Sequence, residues 1–373
     1  MYSEVLRIIE GGLHNDVRKI VNYSQRLATH FESDGDVSMA KSIYEIEYES
    51  KLSLMETQIA IKFVKDTFQK ELIKGLNLLR VTAPLFVLSK TGLNDNLNGV
   101  ESPVNFNVNC INENVEIVHS LAKWKRMALK KYGFDNESGL YTDMNAIRKD
   151  ENLDFIHSLY VDQWDWERII SKEQRNLDYL KKIVRIIYSA IYKLQQKVIK
   201  KYPMLKQELP KDIAFVSTTE LEQMYPELSR KERENAIARK YKAVFLYQIG
   251  WPLSDGLPHD GRAADYDDWN LNGDILVYYP MYDMALELSS MGIRVDANSL
   301  VKQLKQKNEL DKLNNEYCIS VLNEELPLTI GGGIGQSRLC MFMLQKAHIG
   351  EVQVSIWNKD ETEKLKERNI ELL

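Results

Sequence analysis

GGGIGQSRLCMFML, residues 331–344, is the stretch from which the rest of the chain can be read. Four glycines in five positions run directly into apolar sequence, which suggests a phosphate loop, yet neither common template fits. A P-loop places Gly-Lys-Ser/Thr after its glycines, and the dinucleotide fingerprint needs a third glycine where this chain has Arg338. What remains is a glycine-rich strand, open enough for a flat ligand to approach the backbone, leading into an apolar helix with an arginine at the junction. Gly333, Gly335 and Arg338 are thus candidates to seat an adenine and a phosphate. The bland alternative is a tightly packed strand with a structural arginine.

Outward from this stretch, strand-like segments lie at 78–88, 104–108, 115–119, 159–165, 213–217, 243–249, 274–279, 285–290 and 328–333. Ser53 and Glu56 form a capping box ahead of Ile61, Val64, Phe68 and Leu72 at helical spacing. Further helices are predicted over 177–200 and, from a second box at Ser229 and Glu232, as far as Lys240. The strands cluster instead of alternating strictly with helices, which predicts an α+β fold with a central antiparallel sheet flanked by helices. Pro84 lacks the ladder donor and marks 78–88 as an edge or interface.

Residues 1–47 read as a helical N-terminal extension, broken at Gly11 and Gly12, with an apolar stripe through Val17, Ile20, Leu27 and Phe31. So small a piece cannot bury that stripe alone, so it is expected to pack on the main body, 48–373, or to dock a partner protein.

Across 373 residues, 44% hydrophobic and 28% charged, the composition is that of a globular protein. A formal charge of -5 argues against nucleic acid as a partner. Cys110, Cys318 and Cys340 are an odd number without paired spacing, which speaks against a disulfide framework and a structural zinc. No apolar run is long enough to span a bilayer and the N-terminus lacks the pattern of a signal peptide, so a cytoplasmic protein without a membrane partner is expected.

Charged and aromatic residues mix densely on strand-like segments at 118–126, 140–151 and 159–167, as they would around a polar pocket with fixed walls. Gln163 and Asp165, two apart on a strand, point to one side of a sheet and can converge on one ligand. The acidic, turn-rich stretch 253–274 is long for a connection and reads as a lid. Asp274 and Glu287, on candidate strands, are oxygen ligands of the type that holds Mg²⁺ on a triphosphate, with ordinary surface carboxylates as the alternative.

HSLAKWKR (119–126), VDQWDWER (161–168), ELSSMGIRVDA (287–297) and TIGGGIGQSRL (329–339) together resemble the ammonia-dependent asparagine synthetases, in the same order along the chain. The resemblance covers about residues 48–373 and implies the fold of class II aminoacyl-tRNA synthetase catalytic domains. The segments around Pro84, Arg148 and Arg338 look like the three motifs of that class, the first of which builds a homodimer.

The activity implied is attack of the aspartate β-carboxylate on the α-phosphate of ATP, followed by capture of β-aspartyl-adenylate by ammonia to give asparagine and AMP. By the same resemblance, Arg148 bridges the α-phosphate and the substrate carboxylate, Arg338 holds the ATP tail, and Asp274 and Glu287 place Mg²⁺. Lys125 takes the substrate α-carboxylate; Asp95, Gln163 and Asp165 surround its amino group; Ser290 and Arg294 lie near the reacting carboxylate. Asp267 or Asp95 takes a proton from incoming ammonium. Tyr2 stands where one class of glutaminase has its cysteine, so free ammonia is the expected nitrogen source.

Two departures from the family stand out: a shorter loop between Trp269 and Leu271, and residues 1–47, which resemble the small N-terminal segment of certain bacterial AAA-family ATPases. Rival readings are an aspartyl- or asparaginyl-tRNA synthetase, for which an anticodon-binding domain is missing, and an inactive sensing paralogue that docks a partner through the extension.

Overall fold

The computed structural model describes residues 41–95 and 101–373. The helices and apolar stripe read in the N-terminal extension fall within 1–40 and lie outside the described residues. Residues 41–47, read as part of that extension, are tied to the main body: Ile43 and Ile46 are buried, and the Lys41 amide donates to Tyr282 O at 3.0 Å.

Helix α1 (Leu54–Leu76) starts at the expected capping box, with Ser53 accepting from the Glu56 amide. It buries Ala60, Val64, Phe68 and Leu72, one residue every turn, while Ile61 is half-buried. The segment 78–88 is two short strands, β1 (Leu78–Arg80) and β2 (Phe86–Leu88), instead of one. Between them the chain leaves the ladder around Pro84, so β1 sits at the edge of the main sheet while β2 joins a small second sheet with β3 (Asn105–Val108) and β4 (Glu113–Ile117).

The stretch AKWKR, read as strand-like, opens a helix, α2 (Ala122–Tyr132). Its buried Ala128 and Leu129 pack against Leu140, and helical spacing carries Lys123, Lys125 and Arg126 inward as well. Then come β5 (Gly139–Ile147), β6 (Tyr160–Ile169), α3 (Leu177–Lys201), β7 (Ala214–Ser217), α4 (Thr218–Met224), α5 (Arg230–Tyr241) and β8 (Ala243–Tyr247). The C-terminal part adds β9 (Asp267–Tyr279), β10 (Met284–Arg294), α6 (Ala297–Lys307), α7 (Glu316–Leu322), β11 (Thr329–Gly335), α8 (Gln336–Leu344) and α9 (Lys359–Glu367).

Eight strands form the main sheet in the order β1-β5-β6-β11-β10-β9-β8-β7, antiparallel throughout its centre and parallel only at the β1–β5 and β7–β8 edges. This is the expected α+β architecture. On one face α1 and α3 pack together and both touch α8. Strand alternation sends Trp164 and Trp166 to this face, where the Trp164 ring meets Phe68 at 4.9 Å.

The run 267–274 was expected to belong to a lid, and it is the first half of β9. Its acidic composition misleads because the charges are buried and paired: Asp268 meets Arg175 at 2.6 Å, and Trp269 is inserted in a core cluster with Leu300 and Tyr317. Trp269 and Leu271, between which a shortened loop was read, are therefore strand residues. Only 253–266 remains irregular, and it is pinned: Arg230 Nε donates to Pro258 O at 2.7 Å, and His259 meets Glu234 at 3.1 Å.

Candidate active site

The floor of the site is made by four neighbouring strands. Asp165 of β6, Gly333 of β11, Ser290 of β10 and Asp274 of β9 lie opposite one another in register. At the usual strand spacing that row runs roughly 14 Å from Asp165 to Asp274. Period-two alternation puts Gln163, Asp165 and Glu167 on this face together with Gly331, Gly333 and Gly335. A Cβ on Gly331 would stand 1.9 Å from Glu167 Oε2, and one on Gly333 would stand 2.3 Å from Gln163 Oε1. The glycines are needed because the polar side chains of β6 lie across the strand that carries them.

Two register shifts complete the floor. One between Glu287 and Ser289 brings Glu287 opposite Leu276, on the same face as Asp274, although strict alternation would separate it from Ser290. The other sets Asp267 opposite Arg294, while Gly292 pairs with Asn272. Strict alternation puts Asp267 and Asn272 on opposite faces; the bulge returns Asp267 to the cleft.

Above this floor is a cleft of about 380 Å³. Around the Arg294–Asp267 and Lys125–Asp165 pairs one end is lined by these four and Asp95, while Gln163 lies between the ends, opposite Gly335. Toward the other end stand Arg148, Glu287, Ser290, Gly333, Gly335 and Arg338. These are twelve of the thirteen site residues proposed from sequence; the thirteenth, Asp274, is buried behind the cleft wall against the Arg262 guanidinium.

The first end is dense with buried charge. Arg294, 2% exposed, forms a fork with Glu167, Nε to Oε1 at 2.9 Å and Nη2 to Oε2 at 2.7 Å, and also pairs with Asp267. Burial alone would push the Glu167 carboxyl up, but Arg294 outweighs it and holds the group below its ordinary range. Asp267 goes the other way: burial dominates, and the shared arginine does not fully offset it, so its carboxyl is raised. Lys125 Nζ lies 3.1 Å from Gly332 O and 3.3 Å from Asp165, with burial lowering its pKa. Two cations thus face Glu167, Asp267 and Asp165. That surplus of negative charge suits a ligand bearing an ammonium group, and the fixed cations suit its carboxylate.

The second end is loosely paired. Arg148 Nη1 is 3.6 Å from Glu151, and its buried Nε has no hydrogen-bond partner among the described residues. Arg338 Nη1 lies 3.8 Å from Glu287 and 3.3 Å from Glu287 O. Two arginine forks with spare donors, beside glycine backbone, are able to grip phosphate oxygens.

Among the described residues no group of three or more His, Cys, Asp or Glu side chains gathers as a metal site. Asp274 and Glu287 nevertheless fit a hard cation shared with phosphates. Burial, with Glu287 adding to it, outweighs the Arg262 guanidinium and pushes the Asp274 carboxyl up to about 7, and its buried Oδ1 has no close hydrogen-bond partner among the described residues. Mg²⁺ is commonly held by one or two carboxylates plus substrate phosphates, so a pair suffices.

Sequence reading missed Glu167 and Arg262. Extending the Gln163–Asp165 alternation by one step would have found Glu167; nothing local marks Arg262, whose partner Asp274 is twelve residues away.

The sequence matches the aspartate-ammonia ligase family over residues 55–369. It is 59% identical to an aspartate–ammonia ligase of Fusobacterium nucleatum subsp. nucleatum over 87% of this chain and 99% of that protein. With the enzyme of the same name from Lactiplantibacillus plantarum it shares 59% identity over 84% of this chain and 98% of that one. Asparaginyl-tRNA synthetase from Pyrococcus horikoshii, solved with asparaginyl-adenylate, is similar in fold, with a TM-score of 0.58 at 15% identity over 80% of this chain and 68% of that chain. The Entamoeba histolytica asparaginyl-tRNA synthetase gives 0.57 at 14% identity, and this chain spans 66% of its length.

Proposed function

The chain belongs to the aspartate–ammonia ligase family and makes asparagine from aspartate and ammonia with ATP, and we propose that it does so through β-aspartyl-adenylate formed in this cleft. The observation that carries the reading is the contrast within one cleft: a rigid, charge-paired end sized for a small zwitterionic acid, joined to an end with two under-used arginines.

In this proposal Lys125 receives the α-carboxylate, while Asp95, Gln163 and Asp165 surround the α-ammonium. The β-carboxylate then points along the Asp165–Gly333–Ser290 row toward the phosphates, with Ser290 and Arg294 flanking it. Arg148 spans the attacking carboxylate and the α-phosphate, neutralising charge as the new P–O bond forms and pyrophosphate leaves. Arg338 holds the polyphosphate tail, and Gly333 and Gly335 leave room for the nucleotide against the strand. Asp274 and Glu287 would hold Mg²⁺, which supplies charge neutralisation on the phosphates. Asp267, its carboxyl raised by burial, is the better placed of the two candidate bases to take a proton from ammonium, since only neutral ammonia attacks the adenylate carbonyl. Asparagine, lacking one negative charge, would leave the arginines unmatched and is rejected on that ground.

A homodimer, a cytoplasmic location and docking of a protein partner through 1–47, ahead of a catalytic body at 48–373, belong to the same proposal. No helix among the described residues is long and apolar enough to cross a membrane. The family match begins at residue 55, which leaves the N-terminal segment outside it.

Turnover of aspartate carrying ¹⁸O in its β-carboxylate tests the route. An adenylate pathway transfers one labelled oxygen to AMP; formation of ADP with the label in inorganic phosphate would contradict it.

A further inference from the structure

We infer that Asp162 is a positioning residue for Arg338: from the helix side of the sheet, its carboxylate supplies the N-terminal cap that α8 lacks and so fixes the turn that presents Arg338 to the cleft. This rests on the reading that Arg338 holds the phosphate tail.

A helix start leaves backbone amides without partners, and a Ser, Thr, Asp or Asn at the cap normally satisfies one of them. The cap residue of α8 is Gly335, which has no side chain and makes no such bond. A capping side chain there would share the floor's face, where a Cβ at 335 would already be in van der Waals contact with the Cβ of Arg338 at 3.4 Å. The cap comes instead from the neighbouring strand. Asp162 Oδ1 accepts from the Ser337 amide at 3.1 Å, the residue before Arg338.

The carboxylate is itself held from three directions. Its Oδ2 pairs with Lys65 of α1 at 2.9 Å, and its Oδ1 also accepts from Gln353 Nε2 at 3.2 Å. Alternation along β6 turns Asp162 to the side of Trp164 and Trp166, and near the strand's start it still reaches the edge of the cleft together with Ser337 and Gln353. Gln336 adds a second tether, donating to Asp143 at 2.9 Å. The chain thus keeps the glycine strand of the nucleotide end bare while anchoring the adjoining helix turn from Asp162 on the neighbouring strand, at the edge of the cleft.

Steady-state kinetics of the full chain test this. In Asp162→Ala the KM for ATP should rise about tenfold while the KM for aspartate stays within about twofold. Asp162→Asn keeps an oxygen for the Ser337 amide and should restore the KM for ATP to within about threefold of the parent. Arg338→Ala and the Asp162→Ala/Arg338→Ala double variant should share one KM for ATP, because Asp162 acts through Arg338. Equal rises in both KM values, or additive effects in the double variant, would overturn the inference. Should Asp162→Ala not fold, Asp162→Asn decides alone: a tenfold rise in its KM for ATP means charge, not capping, is what matters, and the inference falls. If Arg338→Ala itself leaves the KM for ATP unchanged, the reading of Arg338 fails first and takes the inference with it; an effect in Arg338→Ala without one in Asp162→Ala defeats the inference alone.

Discussion

The two ends of the cleft solve opposite problems with the same residue type. At the end proposed for the amino acid Arg294 is 2% exposed and its Nη2 is 2.7 Å from Glu167; at the end proposed for the phosphates Arg338 is 22% exposed and stands 3.8 Å from Glu287. The first arginine is spent on the protein itself and fixes the shape of the pocket before any ligand arrives. The second keeps its donors nearly free, and so does Arg148 at 3.6 Å from Glu151. A pocket for a small acid gains selectivity from rigid, desolvated charges, whereas a site for a triphosphate gains affinity from donors that are not already satisfied.

The contrast is broken most severely by Arg294→Met. Removing the guanidinium that bridges Glu167 and Asp267 takes the main partner from two buried carboxylates, and about 3–5 kcal/mol of stability should be lost in urea unfolding. A loss under about 1 kcal/mol would place this arginine with the weakly coupled group.

Arg148→Lys is expected to do the reverse. Charge is kept but the planar fork is lost, so kcat should fall by about 10²–10³ while stability changes by less than about 1 kcal/mol. Rates of AMP formation beside an unfolding curve read both quantities, and an unchanged kcat would remove Arg148 from the reacting centre.

A smaller effect appears in the dependence of stability on pH, where Glu167 and Asp274 have opposite signs. Glu167 is held below its ordinary 4.5, so its contribution is present above that value and is lost as pH falls through its lower folded-state pKa. Asp274 is raised from 3.8 to about 7, so its contribution is complete below 3.8 and is lost as pH rises through about 7. The melting temperature of ligand-free protein should therefore decline between about pH 5 and about pH 8, and Asp274→Asn should flatten that decline. An identical slope in the variant would show that Asp274 is ionised throughout.

Much of this was legible in the sequence, and the failures have physical causes. Periodic helices with capping boxes were readable because spacing and cap chemistry are local: Ser53 with Glu56, and Ser229 with Glu232, open helices where expected. Gln163 and Asp165 converge because alternation is also local. Asp267 was named through family resemblance, but its strand was read as loop, since a β-bulge decides which face it joins and composition carries no trace of the bulge. AKWKR looked strand-like because its inward lysines and arginine mask an amphipathic helix; Lys123 and Lys125 are buried only because Asp265 and Asp165 arrive from distant strands and loops. Pro84 marked a break, though at the junction of two strands in different sheets instead of within one.

A crystal structure of the enzyme with a non-hydrolysable β-aspartyl-adenylate analogue would test the contrast most directly. The account predicts that Lys125, Asp165, Glu167 and Arg294 stay within about 0.5 Å of their places here, while Arg148 and Arg338 leave Glu151 and Glu287 to grip the phosphate and its tail site. An Arg294–Glu167 pair opened by the ligand, with Arg148 still on Glu151, would contradict it.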